Sequence, residues 1–327
     1  MKILVTGATG FFGKYIINEL TEHNYNIIAF GRNEEIGKNL EKENKKVVFF
    51  KGDFTDKEKL NEAAKNVSGI VHAGGLSTVW GKWQDFYNIN VKGTENILNI
   101  CRENNIRKLV FISSPSIYAG PEDQLNIKEE EAPDENNLNF YIKSKIEAER
   151  RIKEYSDVPS VILRPRGLFG IGDTSVIPRL LRLNGTTGIP VFGDGRQYVD
   201  VTCVENAALA VRLALERPNA AGQVYNITND EPMMFKDILG LFFKETGIKG
   251  KFVKRNYFSA LFFTNLIEKF YLLTGTDKEP PFTKYTLYLM KYSQTLCIEK
   301  AKKELEYKPK ITVSEGVKKY VEYNKRN

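Results

Sequence analysis

Residues 2–6, Lys-Ile-Leu-Val-Thr, run directly into Gly7-Ala8-Thr9-Gly10-Phe11-Phe12-Gly13 and then into a helical stretch. This strand, glycine turn and helix constrains the fold more than any other feature of the chain. The glycines allow a tight turn and let a pyrophosphate approach the unsatisfied N–H groups at the helix N-terminus, where the helix dipole also favours an anion. Three glycines at this spacing mean little in isolation. Their position between a strand and a helix, inside a βαβ unit, makes them a dinucleotide-binding signature.

The pattern that follows supports that reading. Short apolar runs at 26–30, 47–51, 69–72, 108–113 and 160–163 read as buried parallel strands. Helical periodicity fills the gaps, clearest in 15–20, 90–101 and 141–155. The expected fold is therefore α/β, a doubly wound parallel sheet of Rossmann type. After Leu163 the rhythm breaks, and Gly and Pro punctuate 164–195 before a helix at 205–216. Residues 1–165 are expected to form the dinucleotide-binding domain, with strands from about 198–228 returning to it. Residues 166–327 form mainly a smaller mixed α/β lobe for the substrate.

Cys101, Cys203 and Cys297 are widely spaced without a Cys-x-x-Cys, and His23 and His72 are the only imidazoles, so no metal site is expected. A formal net charge of +7 raises the possibility of polyanion binding. The lysine runs are interleaved with Glu, however, as in 38–46 and 300–304, and read as solvated helix faces rather than a nucleic-acid surface. The first strand begins at Lys2 with no apolar leader before it, from which a cytoplasmic protein is expected. The most apolar stretch, 258–273, contains Asn265, Glu268 and Lys269 and is too polar to span a membrane.

Of the sixteen tyrosines, Tyr141 alone has a lysine four residues on, Lys145. In a helix that spacing puts phenol and ammonium on one face. A phenol that titrates near ~10 works as an acid/base at neutral pH when a neighbouring cation stabilises its phenolate.

Together with Thr6-Gly7-x-x-Gly10-x-x-Gly13, Asp53 in Gly52-Asp53-Phe54, His72-Ala73-Gly74-Gly75, Asn90-Val91-Lys92-Gly93-Thr94, Ser113-Ser114-Pro115 and Leu163-Arg164-Pro165, this pair resembles the extended short-chain dehydrogenase/reductases, which include the NAD-dependent epimerase/dehydratase group. The resemblance covers essentially the whole chain. It implies an enzyme in which Tyr141 is the general acid/base, Lys145 its electrostatic partner and a ligand of the nicotinamide ribose, and Ser114 the group that holds the substrate oxygen, with Asn90 in support. Cofactor contacts are implied at Gly7, Thr9, Gly10, Phe11, Phe12, Gly13, Arg32, Asp53, Phe54, Ala73, Gly74, Gly75, Ser113, Tyr141, Lys145, Pro165, Gly167 and Leu168. A homodimer is the family default.

The second strand ends in Ala29-Phe30-Gly31-Arg32, without the carboxylate that usually meets a ribose 2′-hydroxyl. Gly31 makes room for a 2′-phosphate and Arg32 can grip it, so NADP(H) is expected, with NAD the alternative. Nucleotide-sugar enzymes of the family typically carry an Asn where this chain has Gly167, and an Arg-Asp-Tyr-like stretch where it has Val199-Asp200-Val201. The chain is more similar to the 3β-hydroxysteroid dehydrogenase and 2-alkyl-3-ketoacid reductase branch, through Trp80-Gly81, Arg164-Pro165-Arg166 and Glu279-Pro280-Pro281-Phe282-Thr283. The expected activity is hydride transfer between a nicotinamide and a ketone or secondary alcohol on an apolar body. The alternatives are a nucleotide-sugar epimerase/dehydratase and a non-catalytic NADP sensor. Phe258, Leu261, Phe262, Leu266 and Phe270 stand at helical spacing. Such a stripe is expected to be core, with a substrate wall or a peripheral membrane contact as the other readings.

Overall fold

The structure is a computed structural model and describes residues 1–174, 176–276 and 278–326. Seven parallel strands form the central sheet: β1 (Lys2–Thr6), β2 (Asn26–Gly31), β3 (Val47–Lys51), β4 (Gly69–His72), β5 (Lys108–Ile112), β6 (Ser160–Pro165) and β7 (Val224–Ile227). Their order across the sheet is β7-β6-β5-β4-β1-β2-β3. The chain therefore reverses its direction of travel between β1 and β4, which in doubly wound sheets is where the ligand crevice opens.

Both faces are covered, as parallel strands require. One face packs against α1 (Phe11–Glu22), which contributes Ile16, Ile17 and Leu20, and against the largely apolar helix Val204–Glu216. The other packs against α2 (Gly93–Glu103) through Ile97, Leu98 and Ile100, and against α3 (Phe140–Glu154) through Ala148 and Ile152. Each such fully buried aliphatic side chain contributes about 1.5–3 kcal/mol.

The strands predicted from 2 to 163 all form. Of the strands expected to return between 198 and 228, only β7 joins the central sheet. Tyr198–Val199 pairs instead in a four-stranded sheet with Gln124–Ile127, Met233–Met234 and Gln294–Leu296, and Thr202–Cys203 pairs with Leu168–Phe169. Two-residue strands broken by buried polar Asp200 lack the apolar run that an inner strand of the main sheet needs.

The aromatic stripe also departs from expectation. It lies on α4 (Tyr257–Thr274), but Phe258, Phe262, Leu266 and Phe270 are exposed, Phe258 at 78%. Tyr257, Ala260 and Leu261 are what pack inward, onto a cluster that includes Phe192, Leu239 and Leu287. A helix apolar on several faces satisfies the core pattern in more than one orientation, so periodicity alone could not choose. Among the described residues no helix is long and apolar enough to cross a membrane.

The glycine turn is sterically obligatory. Gly7 has φ +68°, and a Cβ there would lie 2.7 Å from Gly74 N; a Cβ on Gly13 would lie 2.2 Å from Gly7 O. Gly13→Ala must therefore push α1 off β1, and urea unfolding should show a loss of about 1–3 kcal/mol. Unchanged stability would mean the turn is looser than its geometry indicates.

Candidate active site

The carboxyl ends of the central strands open into a cleft of about 610 Å³. Its floor is the glycine turn, lined by Gly7, Thr9, Gly10, Phe11, Phe12 and Gly13. The helices at Glu34–Glu43 and Phe140–Glu154 are capped by the side chains of Asn33 and Asn139, but α1 begins at Gly10 with no side-chain cap. Its first-turn N–H groups thus face the cleft without a side-chain acceptor, the arrangement that suits a phosphate. Arg32, Asp53 and Phe54 line one end, Ala73, Gly74 and Gly75 one wall, and Ser113, Ser114, Tyr141, Lys145, Pro165, Gly167 and Leu168 the other end. Every residue expected to touch a dinucleotide therefore meets in one cavity. The missing side chain at Gly74 gives Phe54 its place, since a Cβ would come within 2.5 Å of that ring.

Asn90 lies outside this lining. It sits in a π-helical turn, Tyr87–Lys92, and its buried amide accepts from Leu76 N (2.7 Å) and donates to Leu76 O (3.0 Å) and Ser144 Oγ (2.9 Å). Ser144 Oγ in turn donates to Tyr141 O at 2.8 Å. Asn90 thus ties the loop after β4 to the first turn of α3. Ser113 likewise lines the cleft with its hydroxyl already committed, donating to Glu149 Oε1 at 2.5 Å.

Tyr141 and Lys145 stand one turn apart on α3, yet their electrostatics differ from the sequence expectation. Burial pushes the Tyr141 phenol up to about 12, with Ser114 hydrogen bonding pulling it down and nearby Tyr285 pushing it further up. Lys145 is not among the groups that set it. Its Nζ donates to Ile112 O at 2.9 Å and sits 4.8 Å from the Phe111 ring centre. Burial lowers Lys145 to about 8, opposed by the Glu149 carboxylate. The phenol is thus a protonated acid at neutral pH, beside an ammonium that burial makes unusually easy to deprotonate.

Behind this helix lies a buried ion pair. Glu149 accepts from Arg164 Nε (2.9 Å) and Nη2 (2.5 Å), and Arg164 Nη1 donates to Glu129 O (3.1 Å) and to the Tyr118 hydroxyl. His72, also buried, donates to or accepts from Thr6 Oγ1 at 2.7 Å, and burial followed by the nearby Lys145 charge lowers it to about 3. A neutral imidazole fixed in this way is structural. Among the described residues no group of three His, Cys, Asp or Glu is placed to hold a metal ion.

Tyr285 was missed by sequence reasoning. It lies on α5 (Lys284–Lys291), which is capped by Thr283, and its hydroxyl hydrogen-bonds Ser116. Ser116 Oγ is 2.8 Å from Ser114 Oγ, so hydroxyls run in a row from Tyr141 through Ser114 and Ser116 to Tyr285. The only signal in the chain was its position just after Pro280-Pro281-Phe282, 144 residues beyond Tyr141 and 169 beyond Ser116. Tyr285 and Val79 also line a second, largely apolar cavity of about 450 Å³, walled by Trp80, Trp83, Phe140, Tyr271 and Leu272. Beside Tyr285 stands Arg166, 8% exposed and lining neither cavity, whose guanidinium is lowered by burial and held up by Tyr285 and the Asp200 carboxylate.

Residues 3–228 match the NAD dependent epimerase/dehydratase family, and the chain belongs to it. That places it among the NAD(P)-dependent enzymes of the extended short-chain type, as the motifs predicted. It is similar to a 2-alkyl-3-oxoalkanoate reductase of Stenotrophomonas maltophilia, 29% identical across 97% of this chain and 98% of that protein. A sterol-4-alpha-carboxylate 3-dehydrogenase of Candida albicans is 28% identical across 96% and 95%. Among solved structures, the UDP-glucuronic acid 4-epimerase of Bacillus cereus in complex with NAD superposes with a TM-score of 0.77 at 23% identity, over 100% of this chain and 99% of that one. At that identity the likeness is one of fold.

The Lys145 environment has a measurable consequence. Its folded-state value lies below the ordinary 10.5, so between about pH 8 and 10.5 the native protein binds fewer protons than the unfolded chain. This group therefore makes stability rise with pH across that window. In urea unfolding, Lys145→Met should remove that rise relative to the wild type. Identical pH slopes in the two proteins would show that Lys145 is not desolvated.

Proposed function

We propose that the protein is an NADP(H)-dependent reductase or dehydrogenase that interconverts a ketone and a secondary alcohol on an apolar substrate. One observation carries this reading: the cleft that begins at the glycine turn ends at Tyr141, Lys145 and Ser114, and shares Val79 and Tyr285 with an aromatic-walled cavity. The long axis of the cleft suits a dinucleotide and the adjoining cavity suits an apolar body. The substrates named for the 2-alkyl-3-oxoalkanoate reductase and the sterol dehydrogenase are of this kind, which supports the same assignment.

When bound, the nicotinamide supplies or accepts the hydride. Tyr141 protonates the substrate oxygen during reduction and recovers the proton during oxidation, and its raised titration keeps it protonated for the first of these. Ser114 donates to the same oxygen and favours the geometry in which charge accumulates there. Lys145, anchored on Ile112 O, directs its remaining protons toward the nicotinamide ribose. Asn90 positions the helix that carries both. Arg166, a buried cation outside the lining of both cavities, lies near the Tyr285 phenol and the Asp200 carboxylate, so its charge already has a partner within the fold.

Tyr141→Phe should abolish turnover while NADPH affinity stays within a few-fold, because the change deletes the proton donor and little of the nucleotide site. A panel of 3-oxo acids, their methyl esters, steroidal ketones and UDP- or dTDP-sugars, followed by NADPH oxidation, tests the substrate. The apolar ketones should react and the nucleotide sugars should not. Turnover of a nucleotide sugar with epimerised or dehydrated product would move the protein to the other branch of its family.

The cofactor preference rests on Arg32, 78% exposed at the cleft rim and paired with Asp53 at 3.7 Å. Gly31 supports it less than the sequence suggested, because a Cβ there would already meet Thr9 Oγ1 at 2.9 Å, which is reason enough for a glycine. NADPH should bind more tightly than NADH, and Arg32→Ala should erode the difference by about 1.5–3 kcal/mol in titration calorimetry. Equal affinities in the native protein would overturn the NADP(H) assignment.

A further inference from the structure

The outer face of α4 carries a run of exposed large apolar side chains. Phe258, Phe262, Phe263, Leu266, Phe270 and Leu273 are all at least half exposed. An apolar stripe of this length, on one exposed helix, marks an interaction surface rather than ordinary surface scatter. The charges around it are mostly basic. Lys249, Lys251, Lys254 and Arg255 precede the helix, Lys269 lies on it and Lys278 follows it, all exposed. None of these six cations is in an ion pair among the described residues. Of the acids in this stretch among the described residues, Glu268 pairs with Lys284 at 3.7 Å and Glu279 with Arg179 at 2.7 Å.

We infer that α4 is a docking helix that lies in the surface of an anionic lipid bilayer. The rim selects this occupant over a second copy of the chain, because pairing two such faces would bring two unneutralised basic clusters together, whereas anionic headgroups neutralise them. The helix lies on the bilayer rather than across it, since no helix among the described residues is long and apolar enough to span. The docked orientation also places the substrate side against the lipid. Tyr271, Leu272 and Gly275, at the end of the same helix, wall the aromatic cavity that shares Tyr285 with the catalytic cleft. An apolar molecule leaving the bilayer beside α4 would reach that cavity without crossing water. Docking itself does not depend on which substrate is turned over.

The test is flotation of the full chain with phosphatidylcholine vesicles, with and without phosphatidylglycerol. The protein should float with the anionic vesicles and be released by high salt. Phe262→Ser/Phe270→Ser should lower partitioning tenfold or more, from the loss of two aromatic side chains that would be buried in the bilayer. Lys254→Glu/Arg255→Glu should weaken binding to the anionic vesicles. Both pairs are exposed, and unchanged thermal unfolding and NADPH affinity would show that the variants remain folded. Absence of flotation, or flotation indifferent to both double variants, overturns the proposal. So does a monomer–dimer equilibrium in sedimentation that the Phe262→Ser/Phe270→Ser variant abolishes, which would assign the face to a second copy.

Discussion

The Glu149–Arg164 ion pair holds the site together. Arg164 comes from β6, Glu149 from the helix that carries Tyr141 and Lys145, and the Ser113 hydroxyl at the end of β5 donates to the same carboxylate. Through Glu129 O and Tyr118 the network reaches β7, where Tyr118 donates to Asn226 Oδ1 at 3.0 Å and Asn226 N donates to Glu129 Oε1 at 2.8 Å. Three neighbouring strand ends and one helix are thus locked in register by charges that are almost wholly excluded from water. Losing one partner of such a pair costs about 3–5 kcal/mol, because the other is left buried and unpaired. Replacing both by apolar groups can be nearly neutral for stability, so the pair is better understood as fixing geometry than as adding strength.

That geometry sets the chemistry. Glu149 follows Lys145 by one turn, and its negative charge opposes the desolvation that lowers the lysine. Tyr141, one turn the other way, is held through Ser144 and Asn90 to the loop after β4. The helix thus presents acid, cation and anion on one face in successive turns. Its N-terminal half is fixed by neutral hydrogen bonds and its C-terminal half by ionic ones. Asn90 lies in a π-helical turn, and from there its side chain reaches both Leu76 and Ser144.

The proposed substrate side is built differently. It is assembled from short strands and from helices α4 and α5, far along the chain, around a cluster separate from the two cores of the main sheet. The cavity there is walled largely by aromatic rings, and Tyr285 joins it to the row of hydroxyls that ends at Tyr141. The nucleotide end, by contrast, is made of backbone and small residues that approach closely, so little there can vary without closing the crevice.

The sequence by itself determined the nucleotide half. Strand periodicity, a glycine turn and an i, i+4 pair are local patterns, and each forces a local geometry that the sheet then preserves. All the residues expected around the dinucleotide line one cleft for that reason. Tertiary structure alone decided the rest. Tyr285 joins the hydroxyl row because a helix from the second half folds over the strand ends, and no local pattern encodes that contact. Lys145 points to Ile112 O and is lowered by burial, which depends on what surrounds the helix rather than on its spacing from Tyr141. Which side of α4 faces water was equally undetermined in the chain, because a helix that is apolar on several faces gains burial in either orientation, and only the packing of Tyr257, Ala260 and Leu261 breaks the tie.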